Sequence, residues 1–276
     1  MERTTAASLA ARLGVQGYNY RHSVQKYWTQ LKAYLDKGAT QIVITGHAGA
    51  GKTILAAQMH GAARELGFEI PGESRTVEVS AVTAGAWTKL VRVLPGQEGF
   101  RTAGAVEAFQ GNAELEGVIH VVDFGYVAPR DSVAINDLIK AGGFDTIAKL
   151  REQNLRTELE DLRVILSDVR RLHGTTSRPK WLAIVINKVD LFANERDAAL
   201  GYYHPEGSGA FGRALAKFQR DVGQQNVSIY LLQSCALEKD FAWNGEIARS
   251  GLERQEQTAI LREFMKSIAA ISEFHT

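Results

Sequence analysis

The chain is 276 residues long, with 45% hydrophobic and 23% charged residues, ordinary proportions for a soluble globular protein of one large or two small domains. Lys plus Arg is 32 and Asp plus Glu is 31, a net charge of +1 that argues against a protein built mainly to coat nucleic acid or an anionic membrane. One cysteine, Cys235, excludes an internal disulfide and a multi-cysteine zinc site; it fits a reducing, cytoplasmic compartment, and no run approaches the ~18 apolar residues of a membrane-spanning helix.

In chain order, Met1–Leu13 lacks the apolar block of a secretory signal, Glu2 weakens a transit-peptide reading, and the same residue stands where myristoylation needs glycine. Residues 1–40 carry six basic residues (Arg3, Arg12, Arg21, Lys26, Lys32, Lys37) against Glu2 and Asp36. Within them Ser23 can cap a helix with apolar positions Val24, Tyr27, Leu31 and Tyr34 or Leu35, closing at Gly38. This N-terminal helical extension, 1–40, reads either as a helix packed on the main domain or as a docking surface for a partner or an acidic, phosphate-rich surface.

Four short runs rich in Val and Ile follow: Gln41–Thr45, Gly117–Asp123, Leu182–Asn187 and Ser228–Leu232. They do not alternate, the pattern of strands buried on both faces of a parallel sheet covered by helices. Arg75–Val82 and Trp87–Leu94 read as two more strands joined by a turn at Thr83–Ala86, too short for a parallel crossover, so the sheet is expected to have one antiparallel edge strand. Helices are expected at Thr53–Leu66, ending at Gly67, at Asp145–Leu172 and at Arg254–Ile271. In the long one, Leu155, Leu159, Leu162, Leu166 and Val169 form an apolar stripe that either packs on the chain's own sheet or pairs as a coiled coil, and Glu152 and Arg156 are placed for an i,i+4 pair. Asn194–Phe211 reads as a loop before a further helix.

Gly46-His47-Ala48-Gly49-Ala50-Gly51-Lys52-Thr53 fits G-x-x-x-x-G-K-[ST], between a strand and a helix as the motif requires. Glycines let the backbone curl so that successive N–H groups point at one centre, and the helix N-terminus adds partial positive charge. Lys52 reaches the β- and γ-phosphates, and the Thr53 hydroxyl is a ligand for Mg²⁺. Asn187-Lys188-Val189-Asp190 follows a buried strand, at the strand end where α/β proteins bind ligands. A carboxylate there can accept both N1–H and the exocyclic amine of guanine, a donor pair that adenine does not offer, so Asp190 selects guanine. Asn187 braces the phosphate loop, and the Lys188 stem covers the ring. The competing reading is a cluster that caps a helix.

With these two motifs in this order, the chain resembles the Ras-like small GTPases, nearest to the Arf and signal-recognition-receptor β types. Ser234-Cys235-Ala236 is similar to the family's second base loop, in which the Ala236 N–H meets the guanine carbonyl. Leu94-Pro95-Gly96-Gln97-Glu98 resembles its second switch, and Gly117–Asp123 the strand that follows it. The resemblance covers roughly residues 41–272. It implies a three-layer α/β fold with a six-stranded, mostly parallel sheet, one G domain over 41–276 with a helical insertion around 126–180, and a GTP/GDP switch read by a protein partner. It also implies that Gln97 orients the attacking water, that Lys52 stabilises charge, and that a threonine at the start of the second strand closes over Mg²⁺. Thr76 is the candidate, Ser74 is a rival, and Arg75 stands where an internal arginine finger would be.

The chain departs from the pattern in one place that matters: the family's Mg²⁺-associated aspartate aligns with Val93. Either Asp123 compensates for it, or Asp123 only braces the phosphate loop. Ala48 occupies a crowded point of the loop and argues for slow turnover. Two functions are therefore open, a GTP-hydrolysing switch and a non-hydrolysing GTP-bound scaffold subunit, while a third, a P-loop ATPase, is disfavoured by Asn187–Asp190. None of the seven histidines shows metal-ligand spacing in sequence, and no basic stripe with interleaved aromatics supports nucleic-acid binding.

Overall fold

Runs of β-branched residues make strands, and where such a run has no polar alternation both of its faces must be covered. The computed structural model, which describes residues 41–61, 78–84, 87–94, 115–172 and 178–275, follows that rule. The strands are β1 (Ile42–Thr45), β2 (Glu78–Ala84), β3 (Trp87–Val93), β4 (Gly117–Val122), β5 (Trp181–Ile186) and β6 (Ser228–Gln233). They form one sheet in the order β2-β3-β1-β4-β5-β6, parallel throughout except that β2 runs antiparallel to β3. The expected six-stranded sheet with one antiparallel edge is observed. The β2–β3 turn is tighter than expected, because Ala84 still pairs with Trp87.

β1, β4 and β5 are buried along their whole length. β6 is only half-buried, against expectation, because it is the sheet's other edge. Successive residues of β4 and β5 divide between two apolar clusters: Val118, Val122, Leu182, Ile184 and Ile186 face one side, Ile119, Val121, Trp181, Ala183 and Val185 the other. The α-helices among the described residues are α1 (Lys52–His60), α2 (Ser132–Lys140), α3 (Ile147–Arg171), α4 (Arg196–Tyr203), α5 (Ala210–Val222) and α6 (Arg254–His275), of which α2 buries no residue. α1 and α6 cover the second cluster, α3, α4 and α5 the first.

Several boundaries differ from the sequence reading. α1 stops at Gly61, whose φ of 86° caps it, rather than at Gly67. The supposed loop 194–211 contains α4, and α6 runs on to His275. α3 starts at Ile147: the Thr146 hydroxyl accepts the Lys149 N–H, and the Glu246 carboxylate accepts the N–H of Ile147 at 2.8 Å. Its apolar stripe packs on the chain's own sheet, and the Glu152–Arg156 pair forms on the exposed side at 2.5 Å. A second small sheet, β7 (Phe241–Trp243) and β8 (Glu246–Ala248), turns through Asn244-Gly245, both at positive φ. That dipeptide is a strong hairpin signal which the sequence reading passed over.

Gly117 opens β4 directly under the Trp181 indole: a Cβ there would lie 2.0 Å from the ring. Gly117→Ala is expected to destabilise the fold by about 3 kcal/mol through overpacking, seen as a lower urea midpoint at unchanged slope. A midpoint that does not move would show that the ring is free to shift.

Candidate functional site

In a parallel sheet every strand delivers its C-terminal end to the same edge, and a crevice opens where neighbouring connections diverge. β1 lies between β3 and β4, so the phosphate loop that follows it sits at that point. The register Thr45–His120, Val122–Ile186 and Ile186–Gln233 brings the loops after β1, β4, β5 and β6 to one edge. Residues 46–53, Asp123–Val127, Asn187–Asp190 and Ser234–Ala236 therefore meet, although they are far apart in sequence.

The phosphate loop needs its glycines for reasons visible in space. Gly46 has φ 131°, and a Cβ there would lie 2.2 Å from the Val121 carbonyl oxygen. Gly51 has φ 91°, and its Cβ would lie 2.4 Å from the Asn187 amide nitrogen. Ala48 and Gly49 form an exposed crest. The buried Lys52 ammonium donates to the carbonyls of Gly46 and His47, both at 2.8 Å. It thus closes the loop on itself.

Asn187 joins the two recognition loops. Its Nδ2 donates to the Ala50 carbonyl at 2.9 Å, and its Oδ1 accepts the Ala236 N–H at 3.0 Å. The Ala236 N–H expected to face guanine is thus engaged by Asn187 here. Asp190 is almost fully buried: Oδ1 accepts from the Cys235 thiol at 3.3 Å and Oδ2 from the Lys239 N–H at 3.2 Å. Burial and the neighbouring carboxylate push the Cys235 thiol well up, so it stays protonated and remains a donor. Ser234 is buried beside them.

Lys188 takes φ 58°, a left-handed conformation that a long side chain adopts only when its surroundings enforce it. The enforcing contacts are Asp123 Oδ2 at 2.6 Å and the Tyr126 carbonyl. Phe124, at the other end of this link, also has positive φ (53°). Asp123 is fully buried between Lys188 and His47, whose Nε2 lies 3.3 Å from its other oxygen. This geometry gives Asp123 the bracing role. It leaves no carboxylate oxygen turned outward to compensate for the aspartate missing at position 93, where Val93 is buried in the apolar cluster.

One group escaped the sequence reading entirely. Glu158, on the apolar face of α3, is fully buried beside His47 and Asp123. Its Oε1 accepts the N–H of Asp123 (3.2 Å) and of Gly125 (3.0 Å), and its Oε2 accepts the Tyr203 hydroxyl. Tyr203 in turn accepts the Phe124 N–H at 3.0 Å. A lone Glu on an apolar stripe was the available signal, but nothing in the spacing from position 47 to 158 shows that the two side chains meet.

Gly96, Gln97, Thr76, Ser74 and Arg75, and the N-terminal extension 1–40, lie outside the described residues. Of the two residues expected to bind Mg²⁺, Thr53 lies among the described residues, half-buried in the first turn of α1, and Val93 supplies no carboxylate. No helix among them is long and apolar enough to cross a membrane.

No family model and no curated protein matches the sequence. Among solved structures the chain is similar to the mammalian SRP receptor, at 14% identity with 84% of this chain and 99% of that chain covered and a TM-score of 0.47. It is also similar to the Arl6 BBS3 small GTPase from Trypanosoma brucei with bound nucleotide analogue GppNp, at 16% identity, 83% and 98% coverage and a TM-score of 0.39. The fold is of the P-loop GTPase type on its own topology: the strand order, the antiparallel β2, and the phosphate loop at the switch point between β3 and β4.

Proposed function

We propose that the chain binds GTP and GDP at the edge formed by residues 46–53, 187–190 and 234–236, and hydrolyses GTP as a nucleotide-dependent switch for a protein partner. The observation that carries this reading is the Asn187 bridge, which locks the phosphate loop to the base-reading loops in one rigid unit. A ligand with phosphates at one end and a donor-bearing ring at the other matches that unit.

Each residue has a chemical task. Backbone N–H groups of residues 47–53 cradle the phosphates, and Lys52 leaves the Gly46 and His47 carbonyls to neutralise β- and γ-oxygens. Asp190 accepts from guanine through the lone pairs that Cys235 and Lys239 leave free. Gln97 and the Gly96 N–H orient the attacking water and the γ-phosphate. Thr53, with Thr76, would hold Mg²⁺, which when bound supplies the charge that balances the phosphate oxygens. With Val93 in place of an acid, the metal depends on the phosphates themselves for most of its affinity, and turnover is slow without a partner.

The second reading, a GTP-bound scaffold that does not hydrolyse, is favoured by the same Val93 and by the commitment of Asp123 to Lys188 and His47. Titration of GTP, GDP and ATP, each with and without Mg²⁺, separates the possibilities. Guanine preference of about 10⁴-fold over ATP is expected, the size of discrimination that a site built to hydrogen-bond a ligand's N–H groups supplies. Mg²⁺-strengthened GTP binding followed by phosphate release supports the switch, and Mg²⁺-indifferent binding without release supports the scaffold. Asp190→Asn should move the preference to xanthine nucleotides, which carry a carbonyl where guanine carries its amine. Equal affinity for ATP and GTP would sink the guanine reading.

A further inference from the structure

The second position of the phosphate loop only has to admit a curled backbone, yet here it carries a buried histidine. Acceptor chemistry places its protons. His47 Nδ1 lies 2.9 Å from the Ala48 carbonyl oxygen, which only accepts, so Nδ1 bears hydrogen. Nε2 lies 3.3 Å from Asp123 Oδ1 and 3.6 Å from Glu158 Oε1. A bare lone pair facing two buried carboxylates is repulsive, so a second proton or a metal cation must stand there.

The surroundings favour the proton. Burial pushes the Glu158 carboxyl up, but two backbone N–H groups on Oε1 and the Tyr203 hydroxyl on Oε2 hold it as the anion. Asp123 and Glu158 then face Lys188 and His47, so an imidazolium closes the charge balance, whereas a divalent ion beside a neutral ring leaves an excess positive charge. Glu158 Oε1 already accepts two backbone N–H groups and has no lone pair left to ligate a metal. A consequence for the loop follows from peptide planarity. The ring holds the Ala48 carbonyl toward itself, and in a trans peptide the Gly49 N–H then points the opposite way, out of the exposed crest.

We propose that His47 is a positioning residue for the nucleotide phosphates: its imidazolium, seated between Asp123 and Glu158, fixes the Ala48–Gly49 peptide with its N–H toward the phosphate site and ties the phosphate loop through Asp123 to Lys188 of the base motif. The inference rests on the guanine-nucleotide reading above. Phosphate and base subsites are then set by one buried charge network, and α3 and α4 join it through Glu158 and Tyr203.

The network gives the role a pH signature. The groups around the ring are Asp123 at the end of β4, Glu158 on α3, Lys188 beyond Asp123, Tyr203 behind Glu158, and Lys52 on the His47 carbonyl. Burial opposes charge on the ring, but the Asp123 and Glu158 carboxylates overcome it and raise the His47 pKa to about 9. A raised histidine pKa means that the imidazolium's contribution is complete at neutral pH and is lost as pH rises through about 9.

The test compares wild type with His47→Gln in GDP titrations from pH 7.5 to 10.5, with fold checked by circular dichroism. The guanine ring itself loses a proton in this range, but equally for both proteins, so their affinity ratio isolates His47. Wild type should bind about ten-fold tighter at pH 7.5, with the ratio closing toward one at pH 10.5. A ratio of one throughout, or one that does not change with pH, overturns the proposal. So does stoichiometric metal retained by dialysed wild type. Should His47→Gln not fold, ¹⁵N-histidine NMR of wild type decides: both ring nitrogens protonated at pH 8 are expected, and a neutral ring at pH 7 overturns it. Folded wild type that binds no nucleotide at any pH would instead sink the nucleotide reading, and this inference with it.

Discussion

Lys52→Ala weakens GTP and GDP binding by at least about 100-fold while the protein stays folded. The lysine begins α1, and its ammonium reaches back over the loop to the Gly46 and His47 carbonyls. Those acceptors are neutral, and phosphate oxygens are charged, so the lysine gains more from the ligand than from the loop. A charge-assisted hydrogen bond is worth about 1.5–3 kcal/mol. Bonds to phosphate oxygens lie at the top of that range and the ammonium's bonds to neutral carbonyls at the bottom, so exchanging two of them leaves about 3 kcal/mol, or roughly two decades in affinity. The free protein loses less, because water reaches the loop beside the exposed Ala48 and Gly49 and can replace the donor. Calorimetric titration against wild type checks the first effect and thermal melting the second. Affinity within three-fold of wild type would remove Lys52 from the phosphate site.

Asn187→Ala should damage stability and binding together. Its amide is buried and makes two bonds in opposite directions, to the Ala50 carbonyl and from the Ala236 N–H. Alanine leaves both backbone groups buried without partners, at about 1–3 kcal/mol each, so a loss of about 3 kcal/mol in unfolding free energy is expected. Nucleotide affinity falls as well, because the phosphate loop and the base loop no longer share a strut. The bridge can also be probed from its other side. A Cβ at Gly51 would meet the Asn187 amide nitrogen at 2.4 Å while also straining a φ of 91°. Gly51→Ala should therefore cost more alone than in the Asn187→Ala background, where the clash is gone and only the strain remains. Strictly additive unfolding energies in that double-mutant cycle would show that the two residues do not press on each other.

Much of the architecture could be read from local pattern. Val- and Ile-rich runs without alternation announced β1, β4 and β5, because burial on both faces leaves no place for polar residues. The short 83–86 link implied an antiparallel β2, and the strand–glycine–Lys–Thr sequence placed the phosphate loop. The same patterns failed where burial was unequal or the signal was brief. β6 has a buried strand's composition but lies at the edge, a matter of strand order. α4 was missed because Tyr202-Tyr203-His204-Pro205 looks like a loop, although Tyr203 is fully buried and bonded to Glu158.

The motifs around Lys52, Asn187 and Asp190 were legible without coordinates, since each is a contiguous stretch whose chemistry depends on residue type and on the ends of a strand and a helix. The charge network behind them was not. His47, Asp123, Glu158, Lys188 and Tyr203 come from five separate elements, and no spacing in the chain encodes their meeting. A carboxylate on a helix is ordinarily a solvated group, and only the packing of α3 against the loop after β4 turns Glu158 into a buried acceptor. Asp123, a possible metal helper in sequence, becomes a brace because Lys188 and His47 reach it first. Local chemistry thus carries the proposal of where a phosphate is held and which base is read. Tertiary packing decided which charges are buried together, because the cost of an unpaired charge depends on what surrounds it in space and not on its neighbours in the chain.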